Sequence, residues 1–339
     1  MGRGLHSFSA AACFLAMISS VCFIQYAAAI RNILGFIVIS GMLVLGWAGT
    51  GFCNNTVTVY NPNGSIATYT TTIQAGINAC LVGGTVSVSA GTYTEAVYVN
   101  KGIALVGAGS NSTTITASGL GGTNTVTFNV AAANNASISG FRITGATGNW
   151  PNGMGIYCGT ASPTITNNTI LWNGNCGICC NTSSPTITNN TISGNSHNGI
   201  YCNTSSPSIT NNTISGNSDG ISCSSSLTIT NNTISENSDC GIICFSSSPI
   251  ITNNTISGNS EDGIYCLCFS FFSSSSLTIT NNTISGNSHN GIYCYYSSPT
   301  ITNNIITENG TTSTYYHGVN NDFNMSQPQG TPTINYNCV

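Results

Sequence analysis

Most of the ionisable side chains in the C-terminal two thirds of this chain lie just before one recurring segment, Gly-Ile-Tyr-Cys and its variants. Two carboxyl groups held at a suitable separation can act as general acid and general base on a glycosidic bond. Asp219, Asp239 and Asp262 are therefore the candidate catalytic residues. The full group comprises His197, Asp219, Asp239, Glu261, Asp262, His289 and His317.

Two other interpretations of these acids stay open. Their oxygens, together with those of neighbouring asparagines, could ligate Ca²⁺, which prefers oxygen ligands. Alternatively, the acids belong to a variable, solvated corner and have no ligand. Apart from Ca²⁺, the sequence predicts no cofactor and no metal site.

A row of tyrosines recurs within the same segment. Its members are Tyr157, Tyr201, Tyr265 and Tyr293. A tyrosine ring can cover a sugar ring while its hydroxyl forms a hydrogen bond, so these four residues are candidate ligand-binding residues. The alternative is that tyrosine simply suits an exposed strand.

A repeat positions all of these side chains. Its consensus is Ser-Pro-Thr-Ile-Thr-Asn-Asn-Thr-Ile-Ser-Gly-Asn-x-x-x-Gly-Ile-Tyr-Cys, and most copies lie 22 residues apart. A fixed period of this length indicates a solenoid, in which each coil buries its apolar face against its neighbours. The isoleucine of the Thr-Ile-Thr segment recurs at Ile165, Ile187, Ile209, Ile229, Ile251, Ile279 and Ile301.

Each repeat contains three short stretches in which apolar residues alternate with polar ones. This alternation predicts strands, and the Gly, Asn and Pro residues between the strands predict corners. Three strands and three corners form one coil, and successive coils stack as parallel strands about 4.8 Å apart. Asp219 and Asp262 lie two coils apart and hence about 9.6 Å from each other, near the separation used by inverting glycosidases. Asp239 falls one column away from them, so the three need not converge.

Two further columns are predicted inside the coil. The paired asparagines, such as Asn189-Asn190, are expected to stack with their amides hydrogen-bonded from coil to coil. A column of cysteines is expected to serve as small buried apolar residues, because in-register neighbours are too far apart for a relaxed disulfide. The C-x-x-C motif Cys176–Cys179 lies at a strand start, and no paired spacing supplies four zinc ligands. The column comprises Cys158, Cys180, Cys202, Cys223, Cys244, Cys266 and Cys294.

These coils resemble the right-handed parallel β-helix of the pectin lyase-like superfamily, and are most similar to NosD-like and surface-protein β-helix repeats. The segment 72–79 reads as a short helix before the first coils, in the order seen in pectinesterase-like β-helices. The resemblance implies an all-β, right-handed parallel β-helix of about ten coils with a short N-terminal capping helix. The predicted organisation is an export or anchor segment at 1–52, an N-terminal cap at 53–82 and the β-helix at 83–339.

The catalytic patterns of that superfamily do not match this chain. Pectate lyase-like elimination uses a basic residue, and no Lys or Arg follows Arg142. The Arg-x-Lys of polygalacturonases and the Gln, Asp and Arg set of pectinesterases are absent, and His317-Gly318 matches only one small part of a polygalacturonase site. A carboxylate-only polysaccharide hydrolase is the enzyme that remains.

Composition limits the partners of the chain. It carries four Lys and Arg residues in total, with charged residues at 4%. Nucleic-acid binders need cations to meet phosphates, so that class is excluded. Outward threonine pairs such as Thr186/Thr188 form a flat array that resembles the ice-binding face of other β-helices, although threonine is also an ordinary strand residue.

The N-terminus carries two uncharged apolar stretches, at 10–30 and 33–50, separated by Arg31. The first resembles a signal peptide with a small-residue cleavage site at 27–29, and the second could be the signal or a membrane anchor. The sequence thus predicts a secreted or cell-surface protein that binds polysaccharide, a cell-surface glycan or another extended surface without catalysis. The alternatives are a polysaccharide hydrolase and an ice-binding protein.

Overall fold

The computed structural model describes residues 55–69, 72–268, 276–310, 323–326 and 333–338. The predicted export or anchor segment at 1–52 and His317 lie outside these residues. Within the described part of the chain, no helix is long and apolar enough to cross a membrane.

Three sheets form the walls of a coil, and in the described residues they contain 13, 10 and 10 strands. The first sheet consists, in spatial order, of Ile66–Tyr69, Val57–Tyr60, Thr85–Val88, Ala104–Gly107, Ser137–Ser139, Thr164–Thr166, Thr186–Thr188, Ser208–Thr210, Thr228–Thr230, Ile250–Thr252, Thr278–Thr280, Thr300–Thr302 and Thr333–Asn335. The second consists of Gly91–Thr94, Thr113–Thr116, Arg142–Thr144, Thr169–Leu171, Thr191–Ser193, Thr213–Ser215, Thr233–Ser235, Thr255–Ser257, Thr283–Ser285 and Ile305–Thr307. The third consists of Val97–Tyr98, Val126–Phe128, Ile156–Cys158, Ile178–Asn181, Ile200–Asn203, Ile221–Cys223, Ile242–Phe245, Ile264–Leu267, Ile292–Tyr295 and Phe323–Ser326.

Among the described strands from Thr85 onward, all pairings with one another are parallel and in register from coil to coil; Ile187 lies opposite Ile209, for example. The predicted right-handed parallel β-helix is therefore confirmed. The sequence produces it because each coil places its isoleucines at the same three points, so that they stack into columns with no exposed surface.

A small cap covers the N-terminal end of the coil. Val57–Tyr60 pairs antiparallel with both of its neighbours, and the helix Ile73–Ala79 follows. The Thr72 hydroxyl accepts a hydrogen bond from the Ala75 amide at 3.1 Å, and the Glu95 carboxylate accepts one from the Ile73 amide at 2.8 Å. These acceptors satisfy amides that the first turn of a helix leaves without partners. A single 3₁₀ turn, Ala131–Ala133, interrupts a later coil.

The predicted cysteine column is buried inside the third sheet. Its members pair in register, as Cys202 does with Cys223, and each is at most 2% exposed. None of the described cysteines forms a disulfide. The thiols thus pack as small apolar side chains along the core.

The asparagines differ from the prediction. Only the second member of each pair stacks: Asn190 Nδ2 donates to Asn212 Oδ1 at 3.1 Å, and the same oxygen accepts the Asn190 amide at 2.9 Å. The first member, such as Asn189, is exposed and has a φ of 55°, so it forms the corner instead. The expectation that both members stack was wrong, because the left-handed corner turns the first side chain outward.

A second asparagine column, which was not predicted, follows the second sheet. There the corner residue is usually a glycine, such as Gly216 with a φ of 64°, and the next residue is the stacked asparagine. Asn217 Nδ2 donates to Asn237 Oδ1 at 3.2 Å. Both corners therefore use one device, a left-handed residue followed by an inward asparagine. The second column comprises Asn173, Asn195, Asn217, Asn237, Asn259, Asn287 and Asn309.

Candidate functional site

The outer face of the third sheet, with the corner that precedes it, carries two grooves. We call them the proximal groove, about 380 Å³, and the distal groove, about 360 Å³. The proximal groove is lined by Gly148, Asn149, Trp150, Asn175, Cys176, His197, Asn198 and Tyr201. The distal groove is lined by Asp239, Cys240, Ile243, Glu261, Asp262, Tyr265, His289, Asn290 and Tyr293.

Glycine fixes where the corner side chains project. From Ile156–Cys158 to Ile264–Leu267, each strand of the third sheet is preceded by a glycine whose backbone packs directly on the next coil. A Cβ at Gly241 would lie 2.6 Å from the carbonyl oxygen of Gly263, a distance that real side chains do not reach. This close approach keeps the corner in the same place in these coils, so that the residues immediately before the glycine form a column.

Asp262 is the most buried carboxyl group of the distal groove, at 8% exposure. Its Oδ1 accepts hydrogen bonds from the backbone amide of Asn290 at 2.7 Å and from Asn290 Nδ2 at 2.6 Å. Burial raises the pKa of Asp262, and the two hydrogen bonds from Asn290 oppose that rise. The neighbouring Glu261 contacts His289 through their side chains; burial raises the pKa of Glu261, and His289 opposes the change.

Asp219 and Asp239 come together at the edge of the distal groove. Their carboxyl oxygens and the Cys240 sulfur all lie within 4.8 Å of one another. Asp219 accepts a hydrogen bond from the Cys240 amide at 3.2 Å. Burial and the nearby Asp239 raise the pKa of Asp219 to about 6, although the Cys240 amide opposes the shift. A carboxyl group of this kind keeps its proton closer to neutral pH than an ordinary aspartate does.

The three candidate aspartates thus form two overlapping pairs. Asp239 lies beside Asp219 on one side and shares the distal groove with Asp262 on the other. Asp219 and Asp262 belong to one column with Cys240 between them, because the glycines that follow hydrogen-bond from coil to coil. Stacking therefore separates these two aspartates by about 9.6 Å.

Oxygen ligands for Ca²⁺ are available in the distal groove. Asp239, Glu261 and Asp262 supply carboxylates, and the Oδ1 of Asn290 is buried without a hydrogen-bond partner. A hard cation would take such ligands. Calcium binding stays a prediction, because Asp262 Oδ1 is already engaged by Asn290.

The tyrosines are arranged differently from a row of flat platforms. Tyr265 and Tyr293 stack on each other, with centroids 5.2 Å apart and ring planes at 14°. In-register neighbours stack along the axis of the coil, so much of each ring face is covered by the other ring. A ligand above the sheet therefore meets ring edges and hydroxyl groups. Tyr157 and Tyr201 are half-buried and pack against Met154, Cys176 and Cys179.

Trp150 lines the site although it was not among the predicted residues. It lies in the segment 145–155, which does not follow the repeat, and its ring packs edge-on against Tyr201 with centroids 5.6 Å apart. Trp150 is 52% exposed and forms one wall of the proximal groove. A lone tryptophan in a departure from the repeat was the signal that could have identified it.

The threonine pairs of the first sheet project outward; Thr186 and Thr228, for example, are exposed. The second sheet carries a further outward row of threonine and serine, such as Thr191 and Ser193. Two neighbouring flat faces therefore present hydroxyl and methyl groups at regular spacing. Ice binding stays a prediction, which a thermal-hysteresis measurement tests directly.

Comparison with known proteins gives a family match and structural relatives. A family model described as "Right handed beta helix region" matches residues 101–249 and 220–327. The A-module of mannuronan C-5 epimerase AlgE4 from Azotobacter vinelandii is 18% identical with a TM-score of 0.53, covering 71% of this chain and 74% of that chain. The periplasmic alginate epimerase AlgG is 15% identical with a TM-score of 0.54, covering 74% of this chain and 67% of that chain. No curated protein matches this chain in sequence.

Proposed function

This chain belongs to the right-handed β-helix family, and we propose that it is an exported or cell-surface protein that binds neutral polysaccharide without modifying it. The observation that carries the proposal is the pair of grooves on one straight outer face. Tyr201 in the proximal groove and Ile243 in the distal groove lie two coils apart on the third sheet. That separation is about 10 Å, so one extended glycan could occupy both grooves.

Charge favours a neutral glycan. Asp239, Glu261 and Asp262 line the distal groove, and no Lys or Arg follows Arg142 in the whole sequence. An acidic polysaccharide would bring like charges together with no cation to neutralise them. Neutral sugars carry no such penalty, and their hydroxyl groups pair with carboxylate, imidazole and tyrosine oxygens or nitrogens.

The structural relatives support the polysaccharide part of the proposal only. The two solved structures above are named as epimerases of mannuronan and alginate, so this architecture does serve proteins that act on polysaccharides. Their identity to this chain is 18% and 15%, which transfers no substrate and no residue role. The choice of a neutral ligand therefore rests on this chain's own charges.

Binding should depend on the tyrosines of the third sheet. We expect Tyr201→Ala, Tyr265→Ala and Tyr293→Ala each to weaken binding of a neutral glycan by roughly two- to tenfold, the effect of one aromatic contact. Because Tyr265 and Tyr293 cover each other's ring faces, the hydroxyl group supplies much of the contact with the glycan. Tyr265→Phe should therefore lose most of the binding affinity that Tyr265→Ala loses. A glycan array containing neutral and acidic polysaccharides, followed by titration of the best ligand, measures these effects.

Thr186→Ala, on the outer face of the first sheet, is the matched control and should bind normally. The melting temperature of each variant checks that the coil is intact. Unchanged binding in all three alanine variants, or preferential binding of acidic polysaccharides, would contradict the proposal.

One observation favours a second candidate, a carboxylate-based polysaccharide hydrolase. Burial and the nearby Asp239 raise the pKa of Asp219 to about 6, so Asp219 holds its proton nearer to neutral pH, as a general acid must. Asp219 and Asp262 lie two coils apart, which would also leave room for an attacking water. The binding proposal predicts no turnover of neutral glycans, because no Lys or Arg in this corner organises charge on a leaving group.

Product analysis on the glycans that bind separates the two candidates. Absence of released sugars supports the binding protein. Hydrolysis that disappears in Asp219→Asn and Asp262→Asn, with melting temperatures unchanged, would replace it with an inverting hydrolase. Hydrolysis that persists in both variants would eliminate the carboxylate mechanism as well.

A further inference from the structure

Three sulfur-containing side chains form a buried cluster outside the core of the coil. Met154, Cys176 and Cys179 pack together and are at most 4% exposed, and they are separate from the continuous hydrophobic core. We call them the sulfur cluster. In the later coils the equivalent positions carry tyrosine, serine, isoleucine or polar corner residues, and Cys240 is the one further sulfur-containing side chain among them.

The fold explains how the three side chains come together. Cys176 precedes Gly177 in the corner column, and Met154 holds the same position one coil earlier, as the hydrogen bond from the Gly155 amide to the Cys176 carbonyl shows, at 3.0 Å. Cys179 lies on the outward rank of the third sheet, between Tyr157 and Tyr201. The inward rung of this coil is Cys180, so Cys176 and Cys179 are additional to the buried cysteine column.

We propose that the sulfur cluster is a binding site for a soft monovalent cation, Ag(I) or Cu(I), ligated by the two thiolates and the thioether. Thiolate and thioether sulfurs are the ligands that select such ions over Ca²⁺ or Mg²⁺. Binding replaces the thiol protons of Cys176 and Cys179, which pass to solvent, and forms two metal–thiolate bonds and one metal–thioether bond without any change of oxidation state.

The proximal groove supplies the entry path that a buried site needs. Cys176 lines this groove together with His197, Trp150 and Tyr201, so an ion can reach the first sulfur from solvent. The thiols of the main column offer no such route, because they are at most 2% exposed and line neither groove. Of the two grooves, the proximal one therefore gives a soft ion access to a pair of neighbouring thiols.

The sequence contains its own control. Cys240 holds the same corner position as Cys176, is 6% exposed and lines the distal groove. Three residues later that coil has Ile243, where the sulfur cluster has Cys179. Cys240 thus offers one accessible thiol beside the carboxylates of Asp219 and Asp239. One thiol with hard oxygen ligands should bind a soft ion much more weakly than three sulfurs do.

The test is a titration of the full chain with Ag(I) under reducing, oxygen-free conditions, followed by the ultraviolet absorbance of the silver–thiolate bond. We expect the wild type to bind one additional Ag(I) ion with high affinity, compared with the double variant Cys176→Ser/Cys179→Ser. Met154→Leu, which keeps the side-chain volume, should lower the affinity for that ion at least tenfold. Cys240→Ser should bind it with the affinity of the wild type. If a serine variant melts early, Cys179→Ala replaces it, since alanine leaves no unpaired hydroxyl.

Three results would overturn the proposal. The first is equal stoichiometry and affinity in the wild type and the double variant. The second is an equal loss in Cys240→Ser, which would mean that any accessible thiol suffices. The third is a Cys176–Cys179 disulfide in the protein as isolated, detected by mass spectrometry of pepsin fragments, because the chain has no trypsin site in this region.

Discussion

Replacing Ile229 by aspartate should unfold the coils around it. Ile229 has no exposed surface and lies between Ile209 and Ile251 in one column of the first sheet. The substitution removes a buried apolar side chain and places a carboxylate where no cation or hydrogen-bond donor awaits it. We expect a loss of more than about 4 kcal/mol in the free energy of unfolding, or no folded protein at all. Thermal and urea denaturation followed by circular dichroism measure the loss.

Thr228→Asp is the matched control, one residue away on the same strand. Thr228 is exposed on the outer face, so its replacement should cost no more than about 1 kcal/mol. Similar losses for the two variants would contradict the assignment of inner and outer faces on which every column depends.

The coil could be predicted because the repeat occurs many times at nearly constant spacing. Ile187, Ile209 and Ile229 each follow a serine–proline or serine–leucine corner at nearly constant spacing, so their columns are fixed by arithmetic. The repeat spacing did not predict the backbone conformation of the corners. Asn189 and Asn190 are the same residue type, yet only the left-handed φ of the first decides that the second turns inward.

The same reason hid the second asparagine column. The corner Gly216-Asn217 begins with glycine, whereas the corner Asn211-Asn212 begins with asparagine. The two corners therefore show no similarity when only residue types are compared. Their backbones are alike, with φ values of 64° for Gly216 and 57° for Asn211. A comparison by conformational preference would have revealed the equivalence, because glycine and asparagine are the residues that best tolerate this region.

The site was harder to predict than the fold. The sequence placed Asp219, Asp239 and Asp262 at one corner, but whether adjacent columns meet depends on small offsets at that corner. The structure brings the carboxyl oxygens of Asp219 and Asp239 within 4.8 Å. Trp150 and the residues of the sulfur cluster depart from the repeat consensus, so the consensus does not predict which residues they contact.

The asparagine columns should stabilise the fold as strongly as the isoleucines, and Asn254→Ala tests this. Asn254 Oδ1 accepts the Asn232 amide at 2.9 Å and Asn232 Nδ2 at 3.0 Å, while its own Nδ2 donates to the Ile229 carbonyl at 2.9 Å. Alanine removes the acceptor of the buried Asn232 amide and the donor to the Ile229, Thr252 and Asn282 oxygens, whereas Asn232 Nδ2 keeps its bonds to the Ile209 and Thr230 carbonyls. A buried unsatisfied polar group costs about 1–3 kcal/mol, so we expect a loss of at least about 3 kcal/mol from several such groups.

The neighbouring corner residue provides the comparison. Asn253 is exposed with a φ of 56°, which glycine adopts without strain, so Asn253→Gly should cost less than about 1 kcal/mol. Asn254→Asp should be as damaging as Asn254→Ala, because it keeps the acceptor for Asn232 but faces the carbonyl of Ile229 with a second acceptor. Urea denaturation ranks the three variants, and hydrogen exchange of the Asn232 amide reports the local loss. A mild Asn254→Ala would mean that the isoleucine columns alone hold the coils in register, and that the amide column only fills the corner.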